Sequence, residues 1–476
     1  PLDAAASFLE LALATEGMRA LGFRSRAAQE YLAGGYFDQG IAELRALFSA
    51  VGLEMPSTSA GALLSLLWQR LRLALRLRGL TFEPRSADQI PPKELLRIDT
   101  CYTAAASLAT ADTIRGADFQ TRQLRLALDV GEPLRVARAM GLEVSYRATA
   151  GVSHRKRATR LLERTEELAG LADEPLTNGL CHLHAGLMAY CFGEWKMSAE
   201  RCDEAEALLT ERCTGAIWEV TFVRRYYLSA LMHLGELAEI SRRLPDLLAE
   251  ADERGNVLAG ANLRTRLGIY WLAIDEPEAC VEETERALRN WSQEGFHVVH
   301  FNGMLSKRAT DLYRGDGERA FRRMLEQWPT VRRSYVPRIQ VARVEGYFLR
   351  ARCALAAAGG SERRRALRIA RRAAARIRRE RLAYGQPQAD LIQGTCDHLE
   401  GRGERAREHL AQAVKGFDGA DMRLHGAAAR RRLGELTGGE AGAAHVEAAD
   451  VWMRSQNIHR PERMASTLAP GFDDLS

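Results

Sequence analysis

The sequence predicts an all-α solenoid in which pairs of helices stack one after another. Three observations predict this class. A turn marked by glycine or an acidic residue returns about every forty residues, a helix-like run with a small residue follows it, and no run of alternating β-branched residues requires a sheet. Such units bury their apolar faces against their neighbours and form one continuous array. About eleven helix pairs fit the 476 residues.

The turns define the repeats in chain order. They lie at or near Gly35, Arg78, Gly116, Ser153, Gly193, Gly235, Asp275, Gly315, Ser361 and Gly401. The two copies most alike are GDGERAFRRM, which begins at Gly315, and GRGERAREHL, which begins at Gly401. Glycine ends the first helix of a pair because it takes a left-handed conformation without a Cβ clash. The adjacent Pro91 and Pro92 indicate one insertion, a loop predicted near residues 81–93.

A small residue follows many of these turns, near the start of the second helix. This position is held by Gly40, Ala158, Ser198, Ala320, Ala366 and Ala406. A small side chain here lets the two helices of a pair approach closely. The pattern resembles the tetratricopeptide repeat, although the period is nearer forty residues than the usual thirty-four or so. We therefore expect a right-handed, TPR-like superhelix whose first helices line a concave face.

The Gly-x-Gly turns have an alternative interpretation as phosphate-binding loops, which their surroundings disfavour. A P-loop needs a lysine directly after its last glycine, and no lysine of this chain follows a glycine. A dinucleotide site needs a buried strand before the glycines, whereas both copies follow helical sequence. The motifs HExxH, GxSxG, HRD and DFG are also absent. We predict no catalytic residue, no cofactor and no enzymatic activity for this chain.

The eight cysteines form no CxxC pair and lie in apolar-patterned stretches, so they are predicted to be core thiols in a reducing cytoplasm. The nearest approach to a metal pattern is the set Cys181, His182, His184 and Cys191. His182 and His184 are two residues apart and point to different faces of a helix, so no metal site is predicted. The longest apolar patch, GALLSLLW, is far shorter than the roughly 20 residues of a membrane span.

The formal net charge is +5, and all but five of the 67 basic residues are arginine. This bias runs through the whole chain, so arginine-rich stretches carry little information about function. In SERRRALRIARRAAARIRRERL an apolar stripe of Ala366, Ala370, Ala373 and Ile377 predicts a helix with a basic outer face. Nucleic-acid binding is disfavoured because the stretch has no interleaved aromatic residues and belongs to no recognised binding module.

Two groups of residues are candidates for a binding surface. The stretch WSQEGFHVVHFNGM clusters histidines and aromatic residues, and it indicates either packing between repeats or a pocket for a ligand or partner. The second group faces the predicted concave groove by the alignment of first helices. It consists of Glu143, Arg147, Arg225, Asn262, Thr265, Asn302 and His398. The alternative for these seven is a solvated surface.

Several longer stretches resemble one bacterial family. They are RGLTFEPRSADQIPP, LLRIDTCYTAAASLATADTIRGADFQTRQLRLALDVGEPLRVARAMGLE, CTGAIWE, WSQEGFHVVH, GAAARRRLGEL and WMRSQNIHRPERMASTLAPGF. Together they resemble the C-terminal repeat region of large bacterial serine/threonine protein kinases, in which a kinase domain and a STAND-type NTPase precede a helical array. The similarity runs from about Arg24 to Phe472. It implies that residues 1–23 are a connector from an upstream module and that residues 24–476 are one repeat array.

The resemblance implies a non-catalytic sensor and interaction scaffold. Such a scaffold binds a protein partner or a small-molecule ligand and regulates the upstream NTPase and kinase. Because neither of those modules is in this sequence, no catalytic residue of the family can be placed on it. In one alternative the array is an intramolecular or oligomeric assembly scaffold that holds the kinase inactive, with the leucine-rich LLSLLWQRLRLALRLRGL as its apolar surface. In a weaker alternative it is the small-molecule-sensing solenoid of a transcription regulator, in which the 363–381 helix contacts nucleic acid.

Overall fold

The computed structural model describes residues 1–76, 79–109, 112–171, 174–293 and 295–472, except for the side chain of Ser59. Within these ranges the chain forms 24 α-helices and no strand, so the predicted all-α solenoid is confirmed. The first twelve are α1 (Leu2–Leu13), α2 (Gly17–Ala33), α3 (Phe37–Ala50), α4 (Ser59–Ala74), α5 (Pro92–Leu108), α6 (Thr113–Val130), α7 (Pro133–Ala150), α8 (Arg155–Gly170), α9 (Pro175–Phe192), α10 (Trp195–Glu211), α11 (Ile217–Leu234) and α12 (Leu237–Glu253).

The remaining helices continue the array. They are α13 (Val257–Arg266), α14 (Gly268–Ala273), α15 (Pro277–Arg289), α16 (Val298–Tyr313), α17 (Gly317–Arg333), α18 (Gln340–Ala356), α19 (Arg363–Arg379), α20 (Gly385–Leu399), α21 (Gly403–Gly419), α22 (Arg423–Thr437), α23 (Gly439–Ser455) and α24 (Pro461–Leu468). Most consecutive helices pack against each other. Residues 1–23 hold α1 and the first part of α2. The described part of the segment between α4 and α5 contains the 3-10 turn Ala87–Gln89.

The predicted small residues lie where paired helices touch. Gly40, Ala158, Ser198, Ala320, Ala366 and Ala406 are all buried near the start of a second helix. At Gly40 a Cβ atom would lie 2.5 Å from Cγ of Leu32 in the preceding helix. A larger side chain at this position would therefore separate α2 from α3.

Most of the predicted turns also hold in the structure. Gly193, Gly235, Gly315 and Gly401 have φ between 76° and 86°, and Asp275 takes the same left-handed region with a φ of 62°. The turn predicted near Arg78 lies outside the described residues. The turn predicted near Gly116 lies a few residues earlier, since α5 ends at Leu108 and α6 begins at Thr113. Gly116 itself is buried in the first turns of α6, where the hydroxyl of Tyr146 and the backbone at the end of α5 leave no room for a side chain.

The left-handed turns give a direct test of the repeat assignment. Gly401→Ala is expected to destabilise the protein by about 1 kcal/mol, because φ is 76° there and a Cβ atom strains that conformation. The matched control is Gly170→Ala in α8, where the new Cβ also meets nothing within 4 Å but φ is not positive. The control is expected to be neutral or to stabilise by up to about 1 kcal/mol. Urea unfolding followed by circular dichroism measures both, and equal effects would contradict the assignment.

The arginine-rich helix α19 is amphipathic in the predicted sense. Ala366, Ala370, Ala373 and Ile377 are buried, and the arginines occupy the rest of the surface. Part of this basic face is neutralised by the next helix, where Arg378 Nη2 lies 2.8 Å from Asp390 Oδ1. Another arginine of α19 pairs with an acidic residue just after α20.

Helix α4 packs with its polar side against the array. Ser65 donates to Asp118 of α6 at 2.8 Å. Arg70 Nη1 lies 2.7 and 2.8 Å from the two carboxylate oxygens of Glu143 in α7. The orientation of α4 is thus set by polar contacts to the buried carboxylates of Asp118 and Glu143, and its apolar side faces outward.

The outward side of α4 is a stripe of exposed apolar residues, called here the α4 stripe. It consists of Leu63, Leu64, Leu67, Trp68, Leu71 and Leu75, which are 40% to 69% exposed. Among the described helices, none combines the length and the hydropathy that a bilayer crossing requires.

The array curves until its two halves meet. Helices α9 and α11 contact α18 and α22, respectively, and α2 contacts α13. The indole Nε1 of Trp218 in α11 donates to the carbonyl of Gln29 in α2 at 3.3 Å. The C-terminal helix α24 folds back on α16. First helices from distant repeats therefore face each other across the axis at close range.

One first helix is divided at Leu267 into α13 and α14. Ser306 Oγ of α16 donates to the carbonyl oxygen of Thr265 at 2.8 Å. A Cβ atom on Gly268 would lie 2.3 Å from the same Oγ, so the close approach of α16 requires glycine. The break lies directly beside Arg266, whose side chain reaches the axis of the array.

Candidate ligand site in the axial cavity

A cavity of about 180 Å³, the axial cavity, lies where the two halves of the array meet. Its walls come from α5, α7, α9 and α11 on one side and from α13, α16 and α18 on the other. Much of the lining is aromatic, with Tyr102, Tyr146, Tyr190, Trp218, Phe222, Tyr226 and Tyr335. Because these walls are far apart in the chain, the cavity exists only where the array closes on itself.

A wider cleft of about 790 Å³ adjoins the axial cavity. The two linings share Thr113, Val298, Tyr335 and Ile339, so the cleft leads towards the cavity. Phe296 and His297 from the histidine-rich stretch lie in this cleft. Farther along the same stretch, Phe301 is buried in the core and Asn302 lines the axial cavity. The stretch therefore contributes both to packing and to the cavity wall.

A buried ion pair within one wall of the axial cavity is hydrogen-bonded to the opposite wall. Arg266 of α13 contacts Glu345 of α18 through two parallel hydrogen bonds, Nη1 to Oε2 at 3.0 Å and Nη2 to Oε1 at 2.6 Å. Arg266 also donates to the hydroxyl of Tyr190 in α9. His233 Nε2 of α11 lies 3.2 Å from Glu345 Oε1, and its ring stacks on Trp195 with a centroid distance of 4.0 Å. Four helices from different repeats thus meet at one charge pair.

The charge states of this cluster follow from its burial and its partners. Burial alone would raise the pKa of Glu345, but the Arg266 charge and the hydrogen bonds from His233 and Arg266 outweigh it and lower this pKa to about 2. Burial lowers the pKa of His233, and the nearby Glu345 offsets this only in part. At neutral pH the cluster therefore holds one guanidinium, one carboxylate and a neutral imidazole.

Arg225 is the other cation in the lining of the axial cavity. It is half-buried on α11, with its guanidinium carbon 5.0 Å from the ring centroid of Tyr226. Among the described residues it makes no ion pair and no side-chain hydrogen bond to an acceptor. Its neighbour Arg224 differs, because it pairs with Glu206 and Glu250 on the other side of the helix. Arg225 thus presents a guanidinium with unused donors to the cavity.

Other polar atoms around the cavity are also unpaired. The Nδ2 atom of Asn302, a residue 3% exposed, has no hydrogen-bond partner within the described chain, and neither does the hydroxyl of Tyr146. His184 accepts or donates one hydrogen bond, with Ser145 Oγ at 2.8 Å, and burial lowers its pKa to about 3. The imidazole is therefore neutral.

Two further titratable groups of the lining, Cys191 and Glu219, are poor candidates for a catalytic role. Burial raises the pKa of the Cys191 thiol to about 12, so the sulfur stays protonated and is not a nucleophile. Burial also raises the pKa of Glu219, which accepts a hydrogen bond from Tyr102 at 3.0 Å. These groups suit a binding cavity more than a reaction centre.

The seven predicted groove residues fall in different places. Arg225 and Asn302 both line the axial cavity. Glu143 is fully buried, and its Oε1 lies 2.7 Å from Nη1 of Arg70 and 2.8 Å from Nη2 of Arg147. The structure thus brings two of the seven together at one site and ties Glu143 and Arg147 to α4.

The other three predicted residues lie away from the axial cavity. Asn262 donates to the carbonyl of Leu258 and borders a separate cleft beside α12. Thr265 is buried and donates to the carbonyl of Ala261 within α13. His398 is half-buried and stacks on Phe472 with a centroid distance of 4.7 Å.

Sequence reasoning did not find Arg266, Glu345, Tyr190 and His233. Each lies in an apolar-patterned first helix, as in NLRTRLGIYW and RVEGYFL. A charge at a position where the helical period calls for an apolar residue is a usable signal, because buried charges are rare unless paired. The pairing of Arg266 with Glu345 cannot be predicted from the sequence around either residue, because the two lie on different repeats.

The set Cys181, His182, His184 and Cys191 does not converge. His182 Nδ1 lies 2.8 Å from Glu204, whereas His184 is engaged by Ser145. Nowhere in the described ranges are three or more His, Cys, Asp and Glu side chains grouped so that they could hold a metal ion.

No protein-family model matches the chain, and neither does any curated protein.

Proposed function

We propose that the chain is a non-catalytic binding scaffold whose axial cavity takes up a small ligand, and that it regulates a linked NTPase and serine/threonine kinase in bacterial signalling. The observation that carries the binding role is the composition of the cavity wall. One side comes from α5 to α11 and the other from α13 to α18. A ligand in this place contacts both halves of the array at once.

Sensing follows from this placement. Each interface in a solenoid adds a small rotation, so a change in how tightly the halves close alters the curvature of the whole array. A ligand that contacts both walls binds the closed array better than a more open one, and it shifts the population towards closure. The regulatory role is supported by the stretches that resemble the repeat region of the bacterial kinases.

A variant that fills the cavity tests the ligand role without knowledge of the ligand. Ala106 lines the cavity from α5 and is only partly buried, so Ala106→Phe projects a ring into it. The matched control is Ala443→Phe on the exposed face of α23. Wild type and both variants are dialysed against the small-molecule fraction of a bacterial extract, and bound molecules are identified by mass spectrometry.

We expect wild type and Ala443→Phe to retain the same molecule and Ala106→Phe to lose it. Small-angle scattering before and after loading measures closure, with a smaller radius of gyration expected on binding. Retention that is equal in all three proteins, or in none, would reject the axial cavity as a ligand site.

The α4 stripe favours a second candidate function, assembly with a second copy of this chain. Six exposed apolar side chains are unusual on a helix whose polar side is already held by Asp118 and Glu143. Together they expose roughly 600 Å², so a two-fold pair would bury about 1,200 Å², the lower limit for specific interfaces. Such pairing would make the array an assembly scaffold for the attached modules.

Mass in solution tests this second candidate. Light scattering over a wide range of protein concentration is expected to show a dimer for wild type and a monomer for Leu67→Glu. Val451→Glu is the control, because Val451 is 54% exposed on α23, away from the α4 stripe. A wild-type protein that stays monomeric, or a Leu67→Glu variant that stays dimeric, rejects pairing through α4.

A further inference from the structure

We infer that the ligand of the axial cavity is a small carboxylate with a single aromatic ring, its carboxylate held by Arg225 and its ring by the aromatic side chains of α11. This inference rests on the proposed binding function and gives the chemical class of its ligand. It draws on four properties of the cavity: its free charge, its unpaired donors, its size and its aromatic wall.

The charge of the lining points to an anion. Arg266 is neutralised by Glu345 through two hydrogen bonds, whereas Arg225 has no carboxylate partner in the described chain. A half-buried guanidinium keeps its charge and leaves N–H groups to be satisfied. A carboxylate matches this planar fork with two parallel hydrogen bonds.

The unpaired polar atoms agree with an acceptor-bearing ligand. The Nδ2 group of Asn302 can only donate, and it is buried in the wall that faces α11. The Tyr146 hydroxyl is also unpaired, but it packs against Gly116 of α6 and is not offered to a ligand. An unpaired buried donor costs free energy, so a ligand oxygen contributes affinity once the Asn302 side chain turns its Nδ2 group, which has almost no accessible surface, towards the cavity.

The size of the cavity limits the apolar part of the ligand. The axial cavity measures about 180 Å³. An apolar cavity of about 150 Å³ holds benzene. One six-membered ring with a short acidic substituent therefore fits, whereas two fused rings would have to extend into the adjoining cleft.

The wall beside Arg225 is aromatic. Phe222 and Tyr226 lie three residues before and one residue after Arg225 on α11, and both line the cavity. Trp218 stacks on Phe222 with a centroid distance of 5.6 Å, which extends this surface along the helix. Aromatic rings prefer such offset and edge contacts, so the wall favours an aromatic ligand over an aliphatic one of equal size.

The carboxyl group of Glu219 lines the same cavity, and its negative charge would disfavour binding of an anion beside it. Glu219 lies six residues before Arg225, about 9 Å along the α11 axis. Tyr102 donates to its carboxylate, and burial favours its protonated form. A carboxylate ligand therefore orients towards Arg225, with its ring beside Phe222, which lies between Arg225 and Glu219 along α11.

Calorimetric titration with defined probes tests the class. Benzoate and phenylacetate carry both ring and charge, benzamide and phenylacetamide carry the ring alone, acetate carries the charge alone, and phenyl phosphate carries a different anion. We expect the two aromatic carboxylates to bind at least roughly tenfold more tightly than the amides, as a charged hydrogen-bond pair implies. Acetate is expected not to bind measurably.

Variants assign the effect to Arg225. Arg225→Gln is expected to remove the preference for the carboxylate over the amide, and Arg225→Lys is expected to keep part of it. Arg224→Gln is the matched control, because Arg224 is the adjacent arginine but pairs with Glu206 and Glu250 outside the cavity. All variants are checked for native circular dichroism first.

The outcomes separate this inference from the proposed function. Equal affinity for carboxylate and amide, tighter binding of phenyl phosphate, or an unchanged preference in Arg225→Gln overturns the aromatic carboxylate. If no probe binds while wild type still retains a molecule from the extract that Ala106→Phe loses, the ligand class is wrong and the cavity remains a ligand site. If neither is seen, both proposals fail.

Discussion

Glu345→Gln is expected to destabilise the protein by about 3 to 5 kcal/mol, because it leaves the Arg266 guanidinium buried without a counter-charge. Arg266 is 8% exposed, and Glu345 supplies both of its carboxylate contacts. The loss should be largest where α13 meets α18. Urea unfolding measures the overall change, and hydrogen exchange of the α13 and α18 amides measures the local one.

Two controls separate the buried pair from charge in general. Glu204 forms a surface ion pair with Arg201, and the two side chains are 53% and 38% exposed, respectively. Glu204→Gln is therefore expected to change the free energy of unfolding by less than about 1 kcal/mol. The double variant Arg266→Met/Glu345→Leu removes both charges and is expected to recover most of the loss. A Glu345→Gln protein as stable as Glu204→Gln would contradict the role of this pair in closing the array.

Acidification from pH 7 to pH 5 is expected to destabilise the protein through its buried neutral histidines. His184 is 4% exposed, and burial lowers its pKa from 6.5 to about 3. Below pH 6.5 the imidazole of His184 therefore binds a proton in the unfolded chain but stays neutral in the folded chain. Its contribution to the free energy of unfolding is fully present above pH 6.5 and is lost as the pH falls towards 3. For His184 alone the loss is about 2 kcal/mol at pH 5.

His233 acts in the same direction, because burial lowers its pKa as well. Glu345 contributes only at lower pH: its folded pKa is about 2, so its stabilisation is lost as the pH falls from 4.5 towards 2. Urea unfolding at several pH values measures the profile. His184→Gln is expected to make it less steep between pH 7 and 5, with the remaining slope coming from His233. His445→Gln, on the exposed face of α23, is expected to leave it unchanged. A profile that is identical in wild type and His184→Gln would contradict the assignment.

The first prediction and the His233 part of the second bear on one property, the closure of the array. The Arg266 and Glu345 pair and the neutral His233 lie together where four helices from different repeats meet. Loss of the pair opens the wall of the axial cavity, so Glu345→Gln should also weaken ligand binding. At the break between α13 and α14 beside Arg266, α16 approaches closely and contributes Val298 and Asn302 to the cavity wall.

Features that depend on residues close together in the chain could be predicted from the sequence. A left-handed glycine such as Gly401 and a small residue such as Ala406 act on helices that are neighbours in sequence, so their spacing reveals the repeat. The amphipathic helix α19 was predictable for the same reason, since its stripe of Ala366 to Ile377 is read from one helical period.

Which side chains share a site became clear only from the folded array. Arg266 and Glu345 lie 79 residues apart, and no periodicity links them. Arg225 and Asn302 both belonged to the predicted groove, but only closure of the array shows that one is an unpaired cation and the other an unpaired donor of the same cavity. The α4 stripe likewise faces outward because Asp118 and Glu143 form hydrogen bonds with the polar side of α4. Long-range pairing of charges sets these positions, and its energy depends on burial that exists only in the folded array.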